Sequence, residues 1–224
     1  MRTVGYVDGH NLYFSCLKGT GYKWLDLEAL VTRILLSEAP GSQLVGIKYF
    51  TSPIKGGFSS RGQASTDAQS EYLRALRTNP KIFITEGRFS IDGAYALRHQ
   101  VPPDRDDKVR VWRIEEKETD VSIALAMYHD ARCGLIDQAV LISNDSDMVP
   151  ALKRMREETA VKIGVVLPLR IDGRSQSNGR RPSAGLASQA DWIRSHVHSW
   201  ELSASQLPRC VITKRKVARR PPHW

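Results

Sequence analysis

Apolar and polar positions along this chain switch between two periods, and the switches predict a mixed α/β architecture. Short apolar, β-rich runs lie at 3–8 (Thr3-Val4-Gly5-Tyr6-Val7-Asp8), 44–51, 81–87, 109–114, 139–143 and 161–167. Runs of this length bounded by Gly, Pro or Asn/Asp read as strands. Between them lie stretches at helical spacing: 24–35, closed by Pro40-Gly41, and 64–78, with Ala68, Tyr72, Ala75 and Leu76 on one side. A third helix opens within Glu115–Asp120, and Val121, Ala124, Leu125 and Tyr128 at i, i+3, i+4 and i+7 predict its buried face. A fourth, 147–158, carries Pro150 in its first turn, where a missing N–H leaves no intrahelical bond unmade. Strands alternating with helices imply a mostly parallel central sheet with right-handed crossovers. Residues 52–62 are a Gly/Ser-rich loop, 90–108 an excursion around Pro102-Pro103 without legible chemistry, and 184–194 a short helix and turn.

Length and composition narrow the picture. The 224 residues suffice for one α/β domain with a two-sided core, and 41% hydrophobic with 25% charged residues is ordinary for a globular protein. No apolar stretch approaches the roughly 18 residues that span a bilayer, and the chain enters a strand without an apolar signal core, so the expected location is cytoplasmic, away from membranes. Cys16, Cys133 and Cys210 are odd in number and widely spaced, which indicates neither a disulfide framework nor a zinc site. Charge is unevenly placed. Residues 170–224 hold eleven lysines and arginines against Asp172, Asp191 and Glu201, and so carry +8 of the net +9. The expected division is a domain over 1–200 followed by a basic C-terminal tail, 201–224, whose last part has no core-facing pattern. Such a tail serves solubility or meets a polyanion, because Lys and Arg displace the counterions of phosphates.

Candidate chemistry lies at the strand ends. Asp8 closes the first strand, Asp145 and Asp147 follow the strand 139–143, and Asp120 stands near the start of the third helix. Ligands of open α/β sheets bind outside the carboxyl ends of strands, where acids from distant parts of a chain converge. Carboxylates held close together repel, and a bound cation removes that cost. Oxygen ligands without a cysteine or a histidine pair select Mg2+ or Mn2+ over zinc. Each acid also has a local reading: Asn144-Asp145-Ser146-Asp147 before a helix is a good N-cap, and Thr119 or Asp120 can cap the third helix. Gly9 permits a tight turn after Asp8, and Asn11 offers an amide to orient water or phosphate. His10 beside them stays outside the assigned set.

Three segments, Tyr6-Val7-Asp8-Gly9-His10-Asn11-Leu12, Glu116-Lys117-Glu118-Thr119-Asp120-Val121 and Leu141-Ile142-Ser143-Asn144-Asp145-Ser146-Asp147-Met148-Val149-Pro150, occur in an order that resembles the NYN family of the PIN-like nuclease superfamily over most of 3–195. The resemblance implies a PIN-like three-layer α/β/α sandwich and a metal-dependent ribonuclease. Asp8, Asp120, Asp145 and Asp147 would hold Mg2+ or Mn2+, with Asn11 and Ser143 lining the centre. His10, Asn144 and Met148 depart from residues frequent in the family, and none of these removes a carboxylate. Groups expected to meet substrate are Ser143, Asn144, Ser146 and Lys117, the last reading also as a solvated charge. Arg174, Arg180 and Arg181 of the Arg-rich loop, together with the tail, are assigned to the backbone of a single-stranded RNA on charge alone. A homo-oligomer stays open. The alternatives are a non-catalytic RNA-binding or regulatory module of the same fold and a phosphatase of small esters. A haloacid-dehalogenase-type site would need an acid where His10 stands, and a dinucleotide-binding enzyme would need Gly-x-Gly-x-x-Gly after the first strand.

Overall fold

In the computed structural model, which describes residues 1–171 and 183–224, the chain runs β1 (Arg2–Asp8), α1 (Gly9–Leu12), α2 (Leu27–Glu38), β2 (Gln43–Thr51), α3 (Gln63–Leu76), β3 (Ile82–Glu86), β4 (Arg88–Leu97), β5 (Lys108–Lys117) and α4 (Thr119–Arg132). It continues through β6 (Gln138–Ile142), α5 (Val149–Glu158), β7 (Lys162–Val166), β8 (Arg170–Ile171), α6 (Ala184–Gln189), β9 (Trp192–Arg194), β10 (Val197–His198), α7 (Ser199–Ala204), β11 (Cys210–Val211) and β12 (Ala218–Arg219). Six strands form one parallel sheet in the order β3-β2-β1-β6-β7-β9. Strand side chains alternate between faces, so a central parallel strand must be apolar on both. Val7, Val140 and Ile142 pack with α2 and α3, whereas Tyr6, Ala139 and Leu141 pack with α4, α5 and α6. The result is the expected three-layer α/β/α sandwich with a mostly parallel sheet. None of the described helices is long and apolar enough to cross a membrane.

Three expectations are corrected. The strand expected at 109–114 exists but lies off the central sheet: β5 pairs antiparallel with β4 over ten residues, Arg88↔Lys117 to Leu97↔Lys108, as a separate two-stranded ribbon. The acidic run Glu115–Lys117 is therefore strand, and α4 begins only at Thr119. Gly87 pins the root of the ribbon, because a Cβ there would lie 2.6 Å from the Lys117 carbonyl and 2.7 Å from Thr119 Oγ1. The buried face of α4 is Ile123, Met127 and Ala131, while Val121 and Leu125 are 63% and 64% exposed. Both sides of α4 are apolar; the buried side packs into the core, and Asp130 adds polar anchors to it. Tyr6 Oη donates to its carboxylate at 2.6 Å and Lys48 Nζ pairs with it at 2.6 Å, in register with that packing.

The third correction concerns 201–224, which is not a free tail. Leu202 and Ala218 are fully buried, Trp24 Nε1 donates to the Pro208 carbonyl at 2.8 Å, and the Trp224 ring lies 5.8 Å from Tyr72 and 6.3 Å from Trp24. Anchors this far apart in sequence make no period, so composition alone marks the segment as solvated. Its basic run Lys214-Arg215-Lys216 stands in the turn between β11 and β12.

Candidate metal centre

The carboxyl edge of β1 and β6 is built around one buried hydroxyl. β1 ends at Asp8, and the chain turns at once because residue 9 is glycine: a Cβ there would sit 2.6 Å from the Phe50 carbonyl and 2.7 Å from Tyr49 Oη. Asp8 Oδ1 accepts the Asn11 N–H at 2.8 Å and so caps α1. Its Oδ2 accepts from Ser143 Oγ at 2.9 Å, and the same Oγ accepts the Asp145 N–H at 3.1 Å. A second link runs parallel to the first, with Asn11 Oδ1 accepting the Asn144 N–H at 3.4 Å. Asp145 Oδ1 then accepts the Asp147 N–H at 2.9 Å. The capping reading thus holds for Asp145 but not at α4, whose N-cap is Glu118 with no side-chain cap bond; Asp8 also caps a helix, and these two caps fix their carboxylates in place.

Electrostatics join the remaining acids to this pair. Burial pushes the Asp8 carboxyl above its ordinary value, opposed by hydrogen bonds from Asn11 and Ser143 and assisted by the charge of Glu116. Asp120 is pushed up to about 6, first by burial and then by the charges of Asp8, Asp145, Glu116 and Asp147. Among the described residues no lysine or arginine pairs with any of the four aspartates. The donor set suits a hard divalent ion in kind, being all carboxylate, amide and hydroxyl oxygen, and in charge, being mutually repelling. As the side chains stand, no three described His, Cys, Asp or Glu residues converge closely enough to grip one ion together.

The sequence-predicted residues divide accordingly. Asp8, Asn11, Ser143, Asn144 and Asp145 interlock through the bonds above, with Asp120 and Asp147 in their field. Ser146 is exposed in the 3-10 turn Ser146–Met148 and contributes no contact to this network. Lys117 is not brought to the cluster: it shares a ribbon face with Arg88 and pairs with Glu115 Oε2 at 2.5 Å. Arg174, Arg180 and Arg181 lie outside the described residues. One acid was missed. Glu116 lies on the other face of β5, accepts from Thr119 Oγ1 at 2.8 Å and stands 3.7 Å from His10 Nδ1. Strand alternation through Glu115-Glu116-Lys117 could have separated it from its neighbours, had the run not read as a helix start.

Residues 2–178 match the model of the NYN domain family. The 6-hydroxy-3-succinoylpyridine 3-monooxygenase of Pseudomonas putida is 38% identical over 248 aligned positions, which take in 100% of this chain and 75% of that protein. A crystal structure of a protein of unknown function from Vibrio parahaemolyticus is similar with a TM-score of 0.48 and 14% identity, over 88% of this chain and 94% of that one. The family match covers most of the sandwich and all three acidic segments, and this chain belongs to the NYN domain family, whose fold is PIN-like and nuclease-like.

Proposed function

We propose that the chain is a Mg2+- or Mn2+-dependent ribonuclease. The observation that carries this reading is the bridge Asp8–Ser143–Asp145, in which one buried hydroxyl, 135 residues from Asp8 in sequence, donates to the Asp8 carboxylate and accepts the backbone N–H of Asp145, tying the two strand ends together. Structural caps alone would not require the two to share a partner. Asp8, Asp120, Asp145 and Asp147 would hold the ion, with Glu116 beside them. When bound, it supplies an activated water and neutralises charge on phosphate oxygens. Ser143 holds the Asp8 carboxylate in orientation, and each aspartate oxygen used in a cap keeps a further lone pair for a ligand. Asn11, tied to Asn144, keeps its amide N–H2 for a water or a phosphate oxygen. Asn144 Oδ1 accepts the Ser183 N–H at 3.4 Å and so joins the site to the start of α6.

The name of the Pseudomonas relative favours a second reading, hydroxylation of a pyridine by O2 with an external electron donor. The donor set argues for the first: it lacks the histidine pair of two-histidine iron oxygenases, and the turn after β1 is Asp8-Gly9-His10-Asn11, not a dinucleotide fingerprint. One experiment separates them. End-labelled single-stranded RNA and matched DNA are incubated with Mn2+, Mg2+ or EDTA, beside O2 uptake on 6-hydroxy-3-succinoylpyridine with reduced nicotinamide. Metal-dependent cutting of RNA that is lost in Asp145→Asn/Asp147→Asn supports the ribonuclease. O2 uptake without cutting transfers the site to the oxygenase. RNA binding equal in wild type and double variant, with neither reaction, leaves the non-catalytic module.

A further inference from the structure

The β4–β5 ribbon leaves the body of the sandwich with its largest side chains in the open. Opposed residues of an antiparallel pair share a face, so Gly93↔Trp112, Tyr95↔Arg110 and Leu97↔Lys108 lie in a row on one side. Trp112 is 64% and Tyr95 70% exposed. Arg110 lies across the ribbon toward Gly93, where an added Cβ would meet its guanidinium nitrogens at 3.6 and 3.8 Å. The absent side chain leaves room for the guanidinium on the face that also carries Trp112. On the opposite face the charges satisfy each other, Arg113 and Lys117 both pairing with Glu115. Arg110 and Lys108 form no ion pair among the described residues.

This face leads into the acidic centre. Continuing its register toward the root gives Phe89↔Glu116, and Glu116 is the acid that stands by His10 and acts on Asp8 and Asp120. The Phe89 ring lies 6.4 Å from His10, and His10 4.5 Å from Phe14. Phe58, on the loop after β2, meets Trp112 edge-on at 5.4 Å, so the arm is steadied from the body on that same side. Trp112 is four residues from Glu116, roughly 13 Å along the strand, and Arg110 six residues, roughly 20 Å.

We propose that this face of the ribbon is a stacking arm for single-stranded RNA, with bases on Trp112 and Tyr95 and phosphates on Arg110 and Lys108, delivering the strand to the acids at its root. The proposal rests on the reading of that centre as one that meets RNA. Aromatic faces alternating with unpaired cations match the chemistry of an unstacked strand, whose bases offer π-faces and whose backbone offers charge. A duplex hides its base faces in its own stack, so the arm selects single strands. A protein partner would also value Trp, Tyr and Arg, but unpaired cations that continue into a carboxylate centre favour a ligand that is itself an anionic chain.

The test is fluorescence anisotropy of a labelled twelve-nucleotide single strand and of its duplex, measured in EDTA so that nothing is cut. Trp112→Ala is expected to weaken single-strand binding about 5- to 100-fold and Trp112→Phe to restore most of it, with duplex binding unchanged. Arg110→Ala is expected to reduce the slope of log affinity against log salt by about 0.7. Both positions are exposed, and thermal melts confirm that the variants fold. Wild-type affinity in both alanine variants overturns the arm, as does loss of a wild-type dimer on sedimentation with RNA binding intact, which would make the face an interface between copies. The ribonuclease reading is scored separately by cutting with Mn2+: a wild type that binds through Trp112 but never cuts keeps the arm and loses the nuclease. A wild type that cuts while binding is indifferent to Trp112 does the reverse.

Discussion

Asp130 and Glu201 are buried beside the sheet with cations against them, whereas the acids at the carboxyl edge of β1 and β6 gather without one. Asp130 would be raised by burial, yet Lys48 and the hydroxyl of Tyr6 hold it below the ordinary carboxylate value. Arg194 Nη2 donates to both oxygens of Glu201 at 2.8 Å, and the His198 N–H adds a third bond at 2.9 Å. At the edge, hydroxyl and amide donors orient Asp8 and Asp145, and the neighbours of Asp120 are other carboxylates. A charge buried for structure is neutralised within the fold, because leaving it alone costs several kcal/mol. Charges that are oriented yet left unneutralised are the contrast on which the proposed cation site rests.

The largest effect is expected where a structural pair is broken. Arg194→Ala leaves Glu201 buried without its partner and should cost about 3–5 kcal/mol in urea unfolding. Replacing both residues with apolar side chains of similar size should recover most of that loss. At the acidic edge the sign reverses. Asp145→Asn/Asp147→Asn removes repulsion and should leave unfolding stability unchanged or raised while cutting falls about 100-fold or more, and equal destabilisation in the two experiments would erase the distinction. The ion itself sharpens it further. Mn2+ at 100 times its dissociation constant should stabilise wild type by about 2.7 kcal/mol in thermal or urea unfolding. The double variant should gain little.

Between these limits stands Ser143→Ala, which keeps every carboxylate and removes the hydroxyl that orients Asp8 and anchors the Asp145 backbone. Groups that position metal ligands are commonly worth 10- to 100-fold in affinity or activity. A loss of that size in cutting with a parallel rise in the Mn2+ concentration required would mark Ser143 as a positioning residue. Unchanged Mn2+ dependence would reduce it to a structural hydrogen bond.

Much of this edge was legible because its signals are local. Asp8 and Asp145 follow unbroken apolar runs, and buried parallel strands have no other composition available to them. Glu116 was hidden because its strand identity depends on pairing with β4, up to 29 residues away across the ribbon, while Glu115-Glu116-Lys117-Glu118 carries the composition of a helix start. The rotation of α4 was hidden for a related reason: Val121 and Leu125 offer as good an apolar stripe as Ile123 and Met127, and the core packing and Asp130 bonds that distinguish them are long-range. Ala218 and Trp224 are single anchors in a basic segment, and single anchors have no period to read.

The smallest expected effect comes from an acid paired in the open. Asp137 accepts the Arg2 backbone N–H at 2.7 Å and its guanidinium at 2.8 and 3.2 Å, and these bonds hold its carboxyl down at about 2. A folded-state value below the unfolded one, ordinarily near 3.9, means that the unfolded chain takes up the proton first as pH falls. The contribution of Asp137 is therefore fully present above about pH 4 and disappears as pH falls through about 2. Arg2→Ala should change unfolding stability little at pH 7, since both partners are exposed and surface pairs are weak. It should flatten the acid limb of the stability curve between about pH 4 and 2 relative to wild type. Lys48→Met, tested in the same window, should lose more at neutral pH because Asp130 is buried. If the two variants gave equal losses at pH 7, the environment of a paired acid would matter less than the pairing itself, and the contrast between buried partners and the unpartnered edge would have to rest on geometry alone.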